Sequence, residues 1–195
     1  MPNNVQELKT IVTNPEVQNI KVIGTRHSFN YIADTYSGKG EGAAAVHVCL
    51  EKFTDMQFFK MADPGVAGFR PAIKFGAGIT FSKLIEEVDR NGAAIENLPS
   101  LPHINVTGAI ITATHGSGHK NPIHADMVEE FEMMFADGSV KSFNKATSPY
   151  FKHYLLTMGG IGIFISMTIR LVPTFNVSKS IYQNLSWDQL AQNQD

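Results

Sequence analysis

The sequence predicts an α+β domain with several mixed strands, and not a doubly wound nucleotide fold. Three observations carry this. Ile161, Ile163, Ile165, Met167, Ile169 and Leu171 alternate with their neighbours over eleven positions, the period of a strand. Phe131, Met133 and Phe135 alternate in the same way, and Asp137-Gly138 turns that strand back as a hairpin into Val140–Phe143. Phe81, Leu84, Ile85 and Val88 share one face at helical spacing.

The remaining elements follow in chain order. Val5, Leu8, Ile11 and Val12 predict a helix over Val5–Val12, ended by Asn14-Pro15. Ile20–Ile23 reads as a short strand stopped by Gly24. Thr25–Gly42 is rich in Gly, Ser, Asp and Asn and reads as a long loop, a length at which loops are often functional. Ala45–Leu50 and Gln57–Met61 read as strands, with Asp63-Pro64-Gly65 as the turn that follows. Ala72–Phe75 is a third strand, closed by Gly76-Ala77-Gly78. Thr80 is placed to N-cap the helix Phe81–Arg90, and Asn91-Gly92 ends it where a left-handed residue is wanted. Pro149–Thr157 can form a helix, and Pro173 ends the last strand. No internal repeat or low-complexity tract interrupts the chain.

The composition narrows the function. Of 195 residues 43% are hydrophobic and 13 are Phe, enough to bury the core of one domain or of two small subdomains. The 16 Lys and Arg against 18 Asp and Glu leave a net charge of -2, so no strong field draws nucleic acid or an anionic membrane. Cys49 stands alone and cannot form an internal disulfide. The N-terminus lacks a basic and then apolar leader, and the longest apolar run, Ile161–Ile165, is too short to span a bilayer. A soluble cytoplasmic protein without nucleic-acid or membrane partners is expected.

Four segments could carry chemistry. In Gly24-Thr25-Arg26-His27-Ser28-Phe29, a glycine after a strand lets backbone approach a ligand, and Arg26 suits a phosphate. Successive amides there can form an anion nest. Spacing alone leaves this reading open beside a plain tight turn with a solvated His27, and slightly behind it. Ser100-Leu101-Pro102-His103 through Gly108-Ala109 to Thr112-Ala113-Thr114-His115-Gly116-Ser117-Gly118 combines small residues with hydroxyls. Such residues pack poorly in a core but suit a flat ligand and a diphosphate, so this segment reads as a ligand loop ahead of a loop that crosses the core with Ala and Gly serving packing only. His115, His119, His124 and Asp126 raise the question of a metal. Gly116, Gly118 and Pro122 forbid the helix that would align His115 and His119, so no metal site is expected. Gly159-Gly160-Ile161-Gly162 makes a tight approach either to a ligand ring or to a neighbouring strand. Gly-x-Gly-x-x-Gly, Walker-type and Gly-x-Ser-x-Gly motifs are absent.

Together these segments resemble the FAD-binding domain of the vanillyl-alcohol-oxidase-type flavoproteins, above all the alditol (xylitol and sorbitol) oxidases, with the sugar-1,4-lactone oxidases as near cousins. The matching pieces are Val22–Asn30, Asn97–Gly108, Ala113–Gly118 and Gly160–Ile163 with the strand that follows. The resemblance implies a PCMH-type FAD-binding domain over residues 1–175, built of two α/β subdomains with the FAD between them. It implies that Val22, Ile23, Gly24, Thr25, Arg26, His27 and Ser28 surround the diphosphate, with His27 bound covalently to the flavin 8α-methyl. Ser100, Asn105, Gly108, Thr112, Ala113, Thr114 and His115 would form a second FAD-contacting stretch, and Ile163 a backbone contact. The implied activity is oxidation of a polyol CH–OH group with O2 as acceptor and H2O2 as product. A sugar-1,4-lactone substrate and a non-catalytic FAD-binding module are the alternatives.

Two departures from the family pattern stand out. Met158-Gly159-Gly160-Ile161-Gly162 replaces the usual Leu-Gly-Ala-Leu-Gly, and Asn105 stands where alditol oxidases often carry Ser. Residues 176–195 read as a polar tail or the start of a missing substrate (cap) domain. No residue here can be given a catalytic role, because the family's substrate-activating basic residues lie in that missing part. An apolar face is expected where the C-terminal half, or self-association, would cover it.

Overall fold

The computed structural model describes residues 1–35, 44–63 and 68–193. Helix α1 (Val5–Val12) is capped by Asn4, whose side chain accepts from the Glu7 amide at 2.9 Å, and leads into β1 (Val17–Ile23). Strand β2 (Ala44–Cys49) lies parallel to β1. Then come β3 (Met56–Ala62), β4 (Phe69–Gly76), α2 (Phe81–Arg90), the short β5 (Ala93–Ala94) and α3 (Val106–Ile111). The hairpin β6 (Val128–Met134) and β7 (Val140–Asn144) precedes α4 (Phe151–Leu155), β8 (Ile163–Arg170) and β9 (Val172–Pro173). Helix α5 (Trp187–Gln192) closes the described chain.

The main sheet runs β3-β4-β8-β6-β7, antiparallel throughout, while β5 pairs with β9. The alternation that predicted β8 suggests one buried face. In the fold every residue from Ile163 to Ile169 is buried, because β8 is the middle strand and both its faces are covered. One polar member of its second face, Ser166, has a clear partner. Ser166 donates to the Glu132 carboxylate, which also meets Lys74 Nζ at 3.0 Å. The Ser166 hydrogen bond, with help from Lys74, holds the Glu132 carboxyl below its ordinary range against the opposing effect of burial. Phe131 anchors an aromatic cluster with Phe143, Phe151 and Phe164 at 4.9, 5.0 and 5.3 Å between ring centres.

Several expectations are refined. Helix α2 starts where Thr80 predicts, yet the Thr80 side chain makes no cap bond. Its hydroxyl lies 3.0 Å from that of Ser82, and the first-turn amides of Phe81 and Ser82 go instead to the carbonyls of Ile104 (3.1 Å) and Pro102 (2.6 Å). Gly92 takes the expected left-handed conformation, with φ +67. The loop Thr25–Gly42 contains a 3-10 turn at Tyr31–Ala33, and its residues 36–42 lie outside the described part. Pro64 and Gly65 of the second turn lie outside it too. Residues 106–111, read as loop, form a helix. Residues 187–192, read as polar tail, form a helix opened by a Ser186–Gln189 capping box. Around α5 large apolar side chains stand in solvent, among them Val177, Tyr182 and Trp187.

His124, in the 3-10 turn His124–Met127, is fully buried against the Phe81 ring at 5.3 Å. Neither of its ring nitrogens reaches hydrogen-bonding geometry with any described residue. Burial therefore holds its pKa below the ordinary imidazole value. The nearby Asn97 backbone offsets this only in part, and His115 adds to it. The unfolded chain thus takes up a proton that the fold refuses, so stability is full above the ordinary pKa of about 6.5 and falls as pH drops below it. Urea unfolding at stepped pH from 7.5 to 5 should show this loss. His124→Leu should flatten it by up to about 1.4 kcal/mol per pH unit. An equal slope in both proteins would refute the assignment.

Candidate functional site

Because β1 and β2 are parallel, their carboxyl ends open on the same side. There a cleft of about 820 Å³ meets the β4–α2 connection, α3 with its flanks and the start of β8. The volume lies high in the usual ligand-cleft range of roughly 300–1,000 Å³. Val22, Ile23, Gly24, Thr25, Arg26, His27 and Ser28 line one wall. Asn105, Gly108, Thr112, Ala113, Thr114 and His115 line another, and Ile163 closes the floor with Phe164. Ser100 is exposed and does not line the cleft. Sequence reasoning missed the third wall, Leu50-Glu51 and Ala77-Gly78 with Thr80 and Lys83. The run Gly76-Ala77-Gly78 was its visible signal. A β-carbon on Gly78 would stand 2.0 Å from the Leu50 carbonyl oxygen, and one on Gly76 would stand 2.4 Å from that of Phe53. These glycines let the third wall close.

Asn105 ties the walls together. Its Nδ2 donates to the carbonyls of Ala77 (2.9 Å) and Ile79 (3.2 Å). Its Oδ1 accepts from the Gly108 amide at 2.8 Å and so caps α3. Its backbone amide donates to the Thr25 hydroxyl at 3.3 Å. Both side-chain hydrogens are thereby committed to protein carbonyls. Gly24 completes the junction, since a β-carbon there would lie 2.8 Å from that of Asn105.

Three non-glycine residues of the cleft hold left-handed backbone, Arg26 at φ +55, Ala113 at φ +58 and Met158 at φ +52. Such conformations each cost on the order of 1–2 kcal/mol and concentrate at functional loops. The Arg26 guanidinium pairs with Asp34 at 2.7 Å. Among the described residues no protein acceptor serves the amides of Thr25, Arg26, His27, Ser28 and Phe29. A row of free donors in a left-handed turn suits an anionic group. Across the cleft, His115 Nδ1 donates to the Gly116 carbonyl at 2.8 Å, which leaves Nε2 as the acceptor of the neutral ring. The Thr107 hydroxyl is buried in the cleft wall without a partner. Gly162 answers the question left by the glycine run. A β-carbon there would strike Met133 Sδ at 2.6 Å, so this glycine serves close packing on β6 while it borders the cleft. Of the histidine cluster, His124 is buried while His115 and His119 are exposed. Among the described residues no group of three or more His, Cys, Asp or Glu could hold a metal.

Residues 1–144 match the family model of the FAD binding domain. The chain belongs to that family. It is similar to an alditol oxidase from a Streptomyces species, 31% identical over 159 residues, which is 82% of this chain and 35% of that protein. A D-arabinono-1,4-lactone oxidase of Yarrowia lipolytica is 28% identical over 97% of the chain and 36% of its own length. A mouse L-gulonolactone oxidase is 26% identical over 93% and 38%. The fold is that of the VAO-type, or PCMH-type, flavoproteins. A VAO-type flavoprotein from Myceliophthora thermophila superposes with a TM-score of 0.68 at 21% identity, over 87% of this chain and 30% of that one. Cholesterol oxidase from Brevibacterium sterolicum superposes at 0.73 with 16% identity, over 89% and 34%. The chain thus spans about a third of the length of the curated relatives it matches. The match places an FAD binding domain in this chain, and the relatives named here are oxidases.

The site's residues fit the group that the family implies. An apolar floor meets free amides at one end, and a buried hydroxyl lacks a partner in the wall. Removing the junction should loosen all three walls. Asn105→Ala should cost about 2–4 kcal/mol, the sum of a lost cap and newly unpaired carbonyls. Asn105→Ser, which keeps a cap oxygen, should recover part of that in urea unfolding. An Ala variant as stable as the parent would show that Asn105 does not hold the site.

Proposed function

We propose that this chain is the FAD-holding domain of an oxidase that removes two electrons from a CH–OH group of a polyol and delivers them to O2, forming H2O2. The observation that carries this reading is the convergence on one cleft of three segments distant in sequence, Val22–Ser28, Asn105–His115 and Ile163. The likeness to alditol oxidase supports the polyol. A sugar-1,4-lactone substrate is the second reading, favoured by a lactone oxidase alignment that spans nearly the whole chain.

FAD supplies the hydride-accepting ring, and the chain's own residues bind and orient it. The free amides of Thr25–Phe29 take the diphosphate, with Lys21 and Lys83 on the cleft wall adding positive charge. Ile163 and Phe164 give the ring system an apolar seat, and Gly108 and Ala109 keep the opposite wall low. His27 stands exposed in the first loop, where a ring nitrogen can bond the flavin 8α carbon. We assign substrate activation to a part that would follow residue 175, since the relatives extend well beyond the region this chain matches. The exposed apolar side chains Val177, Tyr182 and Trp187 lie at the start of that part and support its having a packing surface of its own. No helix among the described residues is long and apolar enough to cross a membrane, and we place the protein in the cytoplasm.

Acid precipitation tests the cofactor assignment. Yellow colour should stay with the parent polypeptide and leave with the supernatant in His27→Ala. Colour lost from the parent would remove the covalent bond, and a colourless soluble parent unable to take up FAD would remove the cofactor. Peroxide release should be tested with xylitol, sorbitol and a sugar lactone. Turnover of a polyol by this chain alone would refute the need for the following part.

A further inference from the structure

We propose that His103 is a positioning residue for His27, holding its ring in the orientation from which it bonds the flavin. This role depends on the His27 attachment proposed above. The two imidazoles meet edge to face, 4.5 Å between centres and 61° between planes. They come from different segments, 76 positions apart by their numbers (103 less 27), and His103 stands just outside the cleft lining, next to Ile104 and Asn105, which are part of it. His27 makes no hydrogen bond to any described residue, and its loop amides have no protein acceptor there, so its own loop does little to fix the ring. His103 sits on an anchored segment. The flanking carbonyls of Pro102 and Ile104 accept from Ser82 and Phe81 at the start of α2, and the next amide, Asn105, reaches Thr25. His103 is itself exposed, but its backbone is held against the start of α2, so it offers its ring edge from an anchored segment to a His27 ring that makes no hydrogen bond among the described residues.

Attachment needs such a constraint. A bond forms between a His27 ring nitrogen and the 8α carbon, the nitrogen gives up a proton and the carbon a hydrogen. The two electrons released enter the isoalloxazine and pass to O2, which leaves as H2O2. The reacting atoms must be held near contact and aligned, and small misplacements are costly in rate. Aromatic edge contact supplies orientation without a hydrogen bond, so a phenyl ring should serve as well as an imidazole.

The test follows acid-stable flavin fluorescence on denaturing gels after FAD is added in air to the chain prepared free of flavin. His103→Ala should slow covalent incorporation by about tenfold to a hundredfold, and His103→Phe should stay near the parent rate. In a His27→Ala background, His103→Ala should leave the affinity for FAD unchanged, which separates orientation from a damaged cleft. His103→Ala reacting at the parent rate overturns the role, and so does His103→Phe reacting as slowly as His103→Ala. A parent with no acid-stable flavin overturns the attachment itself, and the role of His103 with it.

Discussion

The site depends on one carboxamide. Three segments must meet at the Asn105 side chain: the turn after β1, the connection from β4 to α2, and the first turn of α3. A carboxamide can do this because it donates twice and accepts through one planar group. Its donors close on Ala77 and Ile79, its oxygen closes on Gly108, and Gly24 leaves room for it. A serine could keep the cap but could not hold two carbonyls. This gives Asn105 a physical reason to differ from the serine of the family pattern. Its work is to set the distance between walls, since its two hydrogens are spent on the protein.

The glycines in and behind the cleft divide into two kinds. Gly76, Gly78, Gly116 and Gly162 are empty of side chain because backbone or a neighbour fills the space. Around Gly116 it is Asn97 Oδ1 and the Leu98 carbonyl, at 2.1 and 2.3 Å from a built β-carbon. Gly108 is different, since the nearest atoms to its built β-carbon belong to Asn105, at 3.5 and 3.9 Å, an ordinary contact. Small residues therefore do two jobs. Some close the scaffold behind the cleft, and others keep its face low. The sequence alone shows only that small residues cluster, and cannot assign which does which.

Much of the fold was legible because periodicity and turn chemistry are local. The bounds of α1 and α2, the Asp137-Gly138 hairpin and the end at Gly92 all follow from neighbours a few positions apart. What was not legible is tertiary. Val106-Thr107-Gly108-Ala109-Ile110-Ile111 is poor in helix formers, and the helix exists because Asn105 caps it while Val106, Ala109 and Ile110 are buried. The first amides of α2 are satisfied from Pro102 and Ile104 and not from Thr80, which no local pattern reveals. By contrast, α5 was legible in the pair Ser186 and Gln189, and its polar composition hid it. The segments lining the cleft were visible as unusual composition, and only the fold places them against one another.

The two halves of the fold bear different loads. The antiparallel sheet is pinned by β8, buried on both faces, and its packing asks nothing of a ligand. The parallel pair β1–β2 ends in a turn whose amides have no described acceptor, with Arg26 left-handed and paired to Asp34 beside it. Across from it Ala113 is also left-handed, behind the cap of α3. Three of the left-handed non-glycine residues, Arg26, Ala113 and Met158, border the cleft, while the central strand of the main sheet is regular. Asn105 joins these halves, so the stable sheet can hold open a turn whose donors gain most when an anion fills it. Binding and folding energy are then coupled through a single residue, by its side chain and its backbone amide, and the cleft stays shaped without the ligand at the expense of unsatisfied amides that water can serve.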